Sequence, residues 1–519
     1  LGTLLFLDTL SIPHSAFRGC SALTTVNLPE TLTSIGESAF ANTSLTEITV
    51  PGLVREIGAT AFENCLSLTT ATLLGVSAIG DYAFAGCENL ESVELSAELV
   101  ELGANVFVGC TKLVYSVAEG GAFRTVDGVL YKGENEIWAY PTSKTGDYTV
   151  PENAIVRAYA FANATIGALT LSDGVVLEEY AFVNATIESV DLGDTLTAIP
   201  DYAFNGVASL ASVEIPNTVT SIGESAFENI KTLKTLVFAA GGEAALTLGE
   251  SAFAGTSITG ELTIPSRVRI PVASKSTEFP IGASCFQNCT LITSVVCEET
   301  DSVTGAFRIG SDAFAGCTSL ATVVLPKALG GVSASTSGDG LAASVFEGCS
   351  KLQTVQVHDS LEEGNVAYKL GSYVFADCTL FEGFIIVGED GAIPTEVSGE
   401  LPSCVNGIGA YTFENSGIVR MTLHENITGS VGSSVFVGCA KLEEVVLAAP
   451  NMKLIPSSFF KDCVSLKRVE IRAEAIATIQ GNAFTNCVSM ESFVIPAQIT
   501  KVNANAFVGW TAEQTIYIE

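Results

Sequence analysis

Ile35-Gly-Glu-Ser-Ala-Phe40-Ala-Asn-Thr-Ser-Leu45-Thr-Glu-Ile-Thr-Val50-Pro51 is one copy of a phrase that recurs along the whole chain. Its phenylalanine returns nineteen times, at Phe17, Phe40, Phe62, Phe84, Phe107, Phe161, Phe182, Phe204, Phe227, Phe253, Phe286, Phe314, Phe346, Phe375, Phe413, Phe436, Phe460, Phe484 and Phe507. Most neighbours lie 21 to 24 residues apart, the spacing of coils stacked in a solenoid. Five residues before each ring stands an aliphatic side chain, from Ile12, Ile35 and Ile57 to Val502. Two residues after it comes Gly, Asn or Asp, as at Gly19, Asn42, Asn64 and Asp377. These residues tolerate positive φ, so a short helical turn carrying the ring is expected to end there. An alternating apolar pair follows, such as Val26/Leu28 or Val213/Ile215, and alternation over so few residues reads as a strand.

One copy cannot bury its own apolar set. Stacked copies can, with Ile, Phe, Leu and Val in columns and the strands joined in one parallel sheet. The expected architecture is therefore an α/β solenoid of about nineteen coils, with the parallel sheet on one side and short helical turns on the other. It reads as a single domain over residues 1–519.

The phrase Ile79-Gly-Asp-Tyr-Ala-Phe84-Ala-Gly-Cys87-Glu-Asn-Leu90-Glu-Ser-Val93-Glu-Leu95 resembles the repeat of the BspA-like leucine-rich repeat family, and the likeness covers nearly the whole chain. Phe123-Arg-Thr-Val-Asp127-Gly128-Val-Leu-Tyr131, with Trp138-Ala-Tyr140-Pro141 and Tyr148-Thr-Val-Pro151, is similar to the hairpin-like insertion of that family, here spanning 108–160. Asp127-Gly128 between apolar residues is itself a turn signal. The resemblance implies a cell-surface adhesin or host-contact protein that meets a protein or glycan partner through an extended surface.

Composition narrows the choices. Against 24 basic residues stand 57 acidic ones, a net charge of −33, and such a surface repels phosphate backbones. No nucleic-acid partner is expected. No run of eighteen apolar residues offers a membrane span, and no signal peptide is visible. The expected location is secreted or cell-surface, with the export signal or anchor lying elsewhere. Two alternatives stay open: a structural subunit of an extracellular filament or surface layer, self-assembling end to end through open solenoid ends, and an intracellular scaffold.

Eleven of the fourteen cysteines sit three residues after a repeat phenylalanine, where other copies carry Thr43, Ala164, Ala185 or Val207. A position shared by those residues wants a small buried side chain. Cys285, Cys297 and Cys404 fall outside that pattern and are the better candidates for disulfide pairing. Sequons occur at Asn42, Asn163, Asn184, Asn288 and Asn426, four of them at the Gly/Asn/Asp position of the repeat.

Binding residues are sought in two places. From Phe227 to Phe413 the spacing grows to 26, 33, 28, 32, 29 and 38 residues, always between the strand and the next aliphatic residue. The enlarged loops of 239–407 should therefore leave from a common edge. There Arg267, Arg269 and Lys275 form a basic island, set to hold an acidic partner or to pair with Glu298, Glu299 and Asp301; His358 lies in the same series of loops. The outward strand positions, among them Thr25, Glu47, Thr70 and Ser92, suit either partner contact or a solvated sheet.

Catalysis has no support. The three histidines, His14, His358 and His424, are far apart, and no nucleophile elbow, zinc motif or C-x-x-C is present. No catalytic residue, metal site or cofactor is assigned.

Overall fold

The computed structural model describes residues 2–6, 9–271, 279–299, 305–327, 329, 339–358, 367–388 and 392–519. It divides into two compact units, Leu1–Pro216 and Asn217–Glu519.

In the first unit each regular coil carries two strands. Glu47–Val50, Thr70–Leu73, Ser92–Leu95 and Val114–Val117 pair in parallel and in register, Glu47 beside Thr70, Thr70 beside Ser92, and Ser92 beside Val114. Ile48, Val50, Leu73, Val93 and Leu95 face inward and are buried. The aliphatic residue five before the phenylalanine lies in a second, two-residue strand. Ser34–Ile35, Glu56–Ile57, Ala78–Ile79 and Glu101–Leu102 form their own parallel sheet. Two sheets thus replace the one expected.

The phenylalanines stack as columns. Phe40 and Phe62 have ring centroids 5.4 Å apart at 9°, and Phe62 and Phe84 are 5.0 Å apart at 12°. Each is fully buried, which is worth about 1.5–3 kcal/mol per side chain relative to exposure.

The expected helical turns are absent: among the described residues there is no helix. The reason is the destination of alternate backbone N–H groups. Ser38, Phe40 and Asn42 donate to Ala59, Ala61 and Glu63 of the next coil, while Ala39 and Ala41 close tight turns onto Gly36 and Ser38. With every second donor used between coils, no run of i to i−4 bonds can form. The flanking residues also turn left-handed, Ser38 at φ 55° and Asn42 at φ 60°. That interrupts any right-handed helix on both sides of the ring.

Close stacking explains the glycine after the aliphatic residue. A Cβ on Gly58 would lie 2.5 Å from the backbone nitrogen of Glu37 in the preceding coil. No side chain fits between backbones that near.

Residues Phe123–Val126 and Val129–Lys132 form an antiparallel hairpin, with Asp127 at φ 50° and Gly128 at φ 82° in its turn. Glu136–Ala139 continues antiparallel to the hairpin and then parallel to Ile155–Val156. Next, Tyr140 takes the place of a repeat phenylalanine. It donates its N–H to Ala160 and stacks 4.9 Å from Phe161. This tyrosine coil, with the strand Thr3–Leu5 that pairs with Thr25–Asn27, raises the number of turns to about 21.

In the second unit Gly260–Ile264, Ile292–Cys297, Thr322–Val324, Thr354–His358 and Gly383–Val387 form a five-stranded parallel sheet. Phe253, Phe286 and Phe314 keep ring spacings of 5.3 Å despite the longer loops. Loop neighbours meet: Leu246 bridges Val268, Phe307 bridges Leu329, and Ile270–Pro271 pairs antiparallel with Gly305–Ala306.

Candidate functional site

The outward face of the first unit's longer strands is a grid set by register. Glu47, Thr70 and Ser92 form one row across three strands, and Thr49, Thr72 and Glu94 the next. Thr25 is exposed likewise, on a strand paired with Thr3–Leu5. The side chains of Thr25, Glu47, Thr70 and Ser92 are exposed, and none of them bonds to the rest of the described chain. Parallel strands place such a row at steps of about 4.8 Å. The arrangement offers hydroxyl and carboxylate acceptors in ranks, with hydroxyl donors among them.

At the loop edge two of the three residues expected to form a basic island are described, and each donates to a backbone carbonyl. Arg267 is only 3% exposed, and its guanidinium donates to the Val219 carbonyl at 2.6 Å. Burial lowers its affinity for the proton. It braces the loop and does not project from it. Arg269 donates to the Glu243 carbonyl at 3.2 Å, and Lys275 and Asp301 lie outside the described residues. Glu299 pairs with the His358 imidazole, not with an arginine. Burial lowers the His358 pKa, outweighing the opposing pull of Glu299, and Lys327 lowers it further. Glu298 is exposed, with its N–H donated to the Ile264 carbonyl.

The cysteines have a role beyond filling space. All fourteen are thiols, including Cys285, Cys297 and Cys404, the three candidates for disulfide pairing. Cys285 is buried one residue before Phe286, where other copies carry alanine, and Cys297 faces inward opposite Ile264 in the sheet. The repeat cysteines donate S–H to the phenylalanine carbonyl of the preceding coil: Cys65 to Phe40 at 3.2 Å, Cys87 to Phe62 at 3.1 Å, Cys317 to Phe286 at 3.3 Å and Cys487 to Phe460 at 3.1 Å. Trp510, at the same repeat position, gives its indole N–H to Phe484 at 2.9 Å. Burial pushes the Cys439 and Cys487 thiols up to about 12, far from the thiolate form needed for reaction.

The five sequon asparagines are exposed, and Asn42, Asn163, Asn184 and Asn288 have positive φ. Among the described residues no group of His, Cys, Asp or Glu is arranged to hold a metal ion, and no helix is long and apolar enough to cross a membrane.

One surface feature escaped the sequence reading. Two residues before the ring, Tyr159, Tyr180 and Tyr202 stack outside the core at 4.8 Å and 4.7 Å. The same column holds Tyr82, whose hydroxyl accepts from Asn105 at 3.2 Å. The signal was present in the sequence, as a tyrosine at a fixed offset from successive phenylalanines.

The BspA-type leucine-rich repeat model, a region of six repeat copies, matches residues 8–121, 154–273, 279–389 and 397–512. The chain belongs to that family. The BspA-type chain is similar in fold to a leucine-rich repeat protein from Bacteroides ovatus, at 20% identity over 90% of this chain and 91% of that one, with a TM-score of 0.46. It is also similar to a leucine-rich cell surface protein from Faecalibacterium prausnitzii, at 22% identity over 75% and 73% of the two chains, with a TM-score of 0.28. A third is the pneumococcal vaccine antigen PcpA, at 19% identity over 77% and 88%, with a TM-score of 0.39. No curated protein matches the BspA-type chain.

Proposed function

We propose that this BspA-type chain is a secreted or cell-surface binding protein that contacts a protein or glycan partner through its outward strand face, without catalysis. The enlarged loops of 239–407, in the second unit, are a separate candidate surface for such a partner. The observation that carries the reading is the row Glu47, Thr70 and Ser92, in register, exposed and unoccupied by the rest of the described chain. Family membership supports the location and the binding role. Rows of short polar groups suit a ligand that is itself extended and repetitive in its donors.

The test is a triple variant, Glu47→Lys, Thr70→Lys and Ser92→Lys, compared with wild type on a glycan array and a panel of extracellular-matrix proteins. Wild type should retain a ligand that the variant loses by tenfold or more, with thermal stability unchanged. A ligand bound equally by both removes the strand face from the contact.

A further inference from the structure

The inter-coil ladder loses all three of its rungs at the Phe107 coil of the first unit, and the loss leaves a site. In the coils of Phe17, Phe40, Phe62 and Phe84 three alternate N–H groups donate to carbonyls of the next coil, as Tyr82, Phe84 and Gly86 do to Ala104, Val106 and Val108. The Phe107 coil should hand Asn105, Phe107 and Gly109 to the coil of Tyr140 in the same way. None of these three N–H groups makes a hydrogen bond among the described residues.

The hairpin is the cause. Val129–Lys132 pairs with Glu136–Ala139, the strand of the Tyr140 coil, and Lys132 Nζ donates to the Val100 carbonyl of the Phe107 coil, so the hairpin lies against both coils. On the phenylalanine side the two coils are joined by side chains, not by the ladder: the Thr142 and Ser143 hydroxyls donate to the Cys110 and Leu113 carbonyls at 2.8 Å and 2.7 Å. The ring column breaks there too: Phe107 meets Tyr115 edge-on at 5.5 Å and 60°, while Tyr140 stacks on Phe161.

A cavity of about 210 Å³ opens at this break, lined among others by Asn105, Phe107, Trp138, Tyr140, Arg157 and Tyr159. Tyr140 is only 3% exposed, and its hydroxyl has no hydrogen-bond partner. Buried polar groups seldom go unpaired, at about 1–3 kcal/mol each. Two unpaired backbone donors, those of Asn105 and Phe107, therefore border a single unfilled space, while the Tyr140 hydroxyl is sealed away from it.

We propose that this cavity is a peptide-binding notch, in which an extended segment of a partner protein lays carbonyls two residues apart on the N–H groups of Asn105 and Phe107. The segment supplies the rung that the hairpin displaced, as a strand is added to an open edge. The donors have the two-residue period of the ladder, and an extended backbone repeats its carbonyls on one side at that period, about 6.6 Å. Aromatic and aliphatic walls favour an apolar side chain between the coils. The rim selects little by charge, because Arg157 is paired with Glu178 at 2.8 Å and lies over the Trp138 ring. The site is distinct from the strand face proposed above.

The probe is the blocked tripeptide acetyl-Ala-Phe-Ala-amide, titrated into the whole protein carrying ¹⁵N-labelled phenylalanine and asparagine, with N-acetylglucosamine in parallel. In the free protein the Phe107 amide should exchange with solvent at least tenfold faster than that of Phe84. The peptide should shift the Asn105 and Phe107 resonances saturably and slow the Phe107 exchange. Equal protection of Phe107 and Phe84 in the free protein overturns the proposal. So do peptide shifts confined to other residues, or a preference of these two amides for N-acetylglucosamine.

Discussion

Phe40 and Phe62 are 22 residues apart, and Phe253 and Phe286 are 33 apart, yet their rings lie 5.4 Å and 5.3 Å from one another. The first pair belongs to the regular coils of the first unit, the second to the enlarged coils of the other. Eleven extra residues change nothing at the ring because they enter the sequence between the strand and the aliphatic residue Ile281, which still bridges Leu248 and Ile309 of the neighbouring coils. The ladder is anchored on both sides of that point, and a longer surface loop adds little entropic cost. The core and the edge are thus independent variables in this fold. Function can be written into the edge without disturbing the column.

The largest effects should come from attacking the column in both regions. Phe62→Ala and Phe286→Ala should each cost about 3–5 kcal/mol, read by urea unfolding together with hydrogen exchange in the affected coil. Equal losses confirm that loop length leaves packing untouched; a much smaller loss at Phe286 would show the enlarged coils to be looser. Next come the close approaches. A Cβ at Gly58 or Gly282 would meet backbone at 2.5 Å and 2.6 Å, so alanine at either should cost about 1–3 kcal/mol by overpacking. Smaller again is the thiol ladder: Cys87→Ala and Cys317→Ala should each lose about 0.5–1.5 kcal/mol in thermal unfolding, and serine at the same positions should recover part of that loss. In the native protein Cys439 and Cys487 should stay silent to a thiol reagent at pH 8 and react only on unfolding.

The smallest effect belongs to the second unit alone. Burial, then the charges of Asp377 and Glu347, raises the Glu414 pKa. A carboxyl held above its unfolded value keeps its proton more tightly in the native state, so this group costs stability as pH rises through the carboxylate range. Glu414→Gln should therefore melt slightly higher than wild type at neutral pH. The difference should vanish as pH falls below the ordinary glutamate value.

Much of this was legible from residue types alone. Ile35, Phe40 and Leu45 had to be buried because they are apolar at a fixed period, and Asn42 stands where Gly19 and Asn64 of the adjacent coils also take positive φ. The Tyr140 coil was hidden, since its ring is not phenylalanine and the hairpin distorts the spacing on its N-terminal side. Arg267 misled for a different reason. Its charge suggested an exposed contact, but the carbonyl that takes it belongs to Val219, 48 residues earlier. The strand row of Thr25, Glu47, Thr70 and Ser92 followed from alternation, whereas the cavity at Phe107 did not follow from any local pattern.

The sequence by itself determined which side chains line the inside, because burial is a property each residue carries with it and the period aligns equivalent residues. Only the tertiary structure decided where each backbone N–H goes. That choice depends on which coil lies alongside. It replaced helical turns by a ladder between coils, split one sheet into two, and left Asn105 and Phe107 without a rung where the hairpin holds the next coil away.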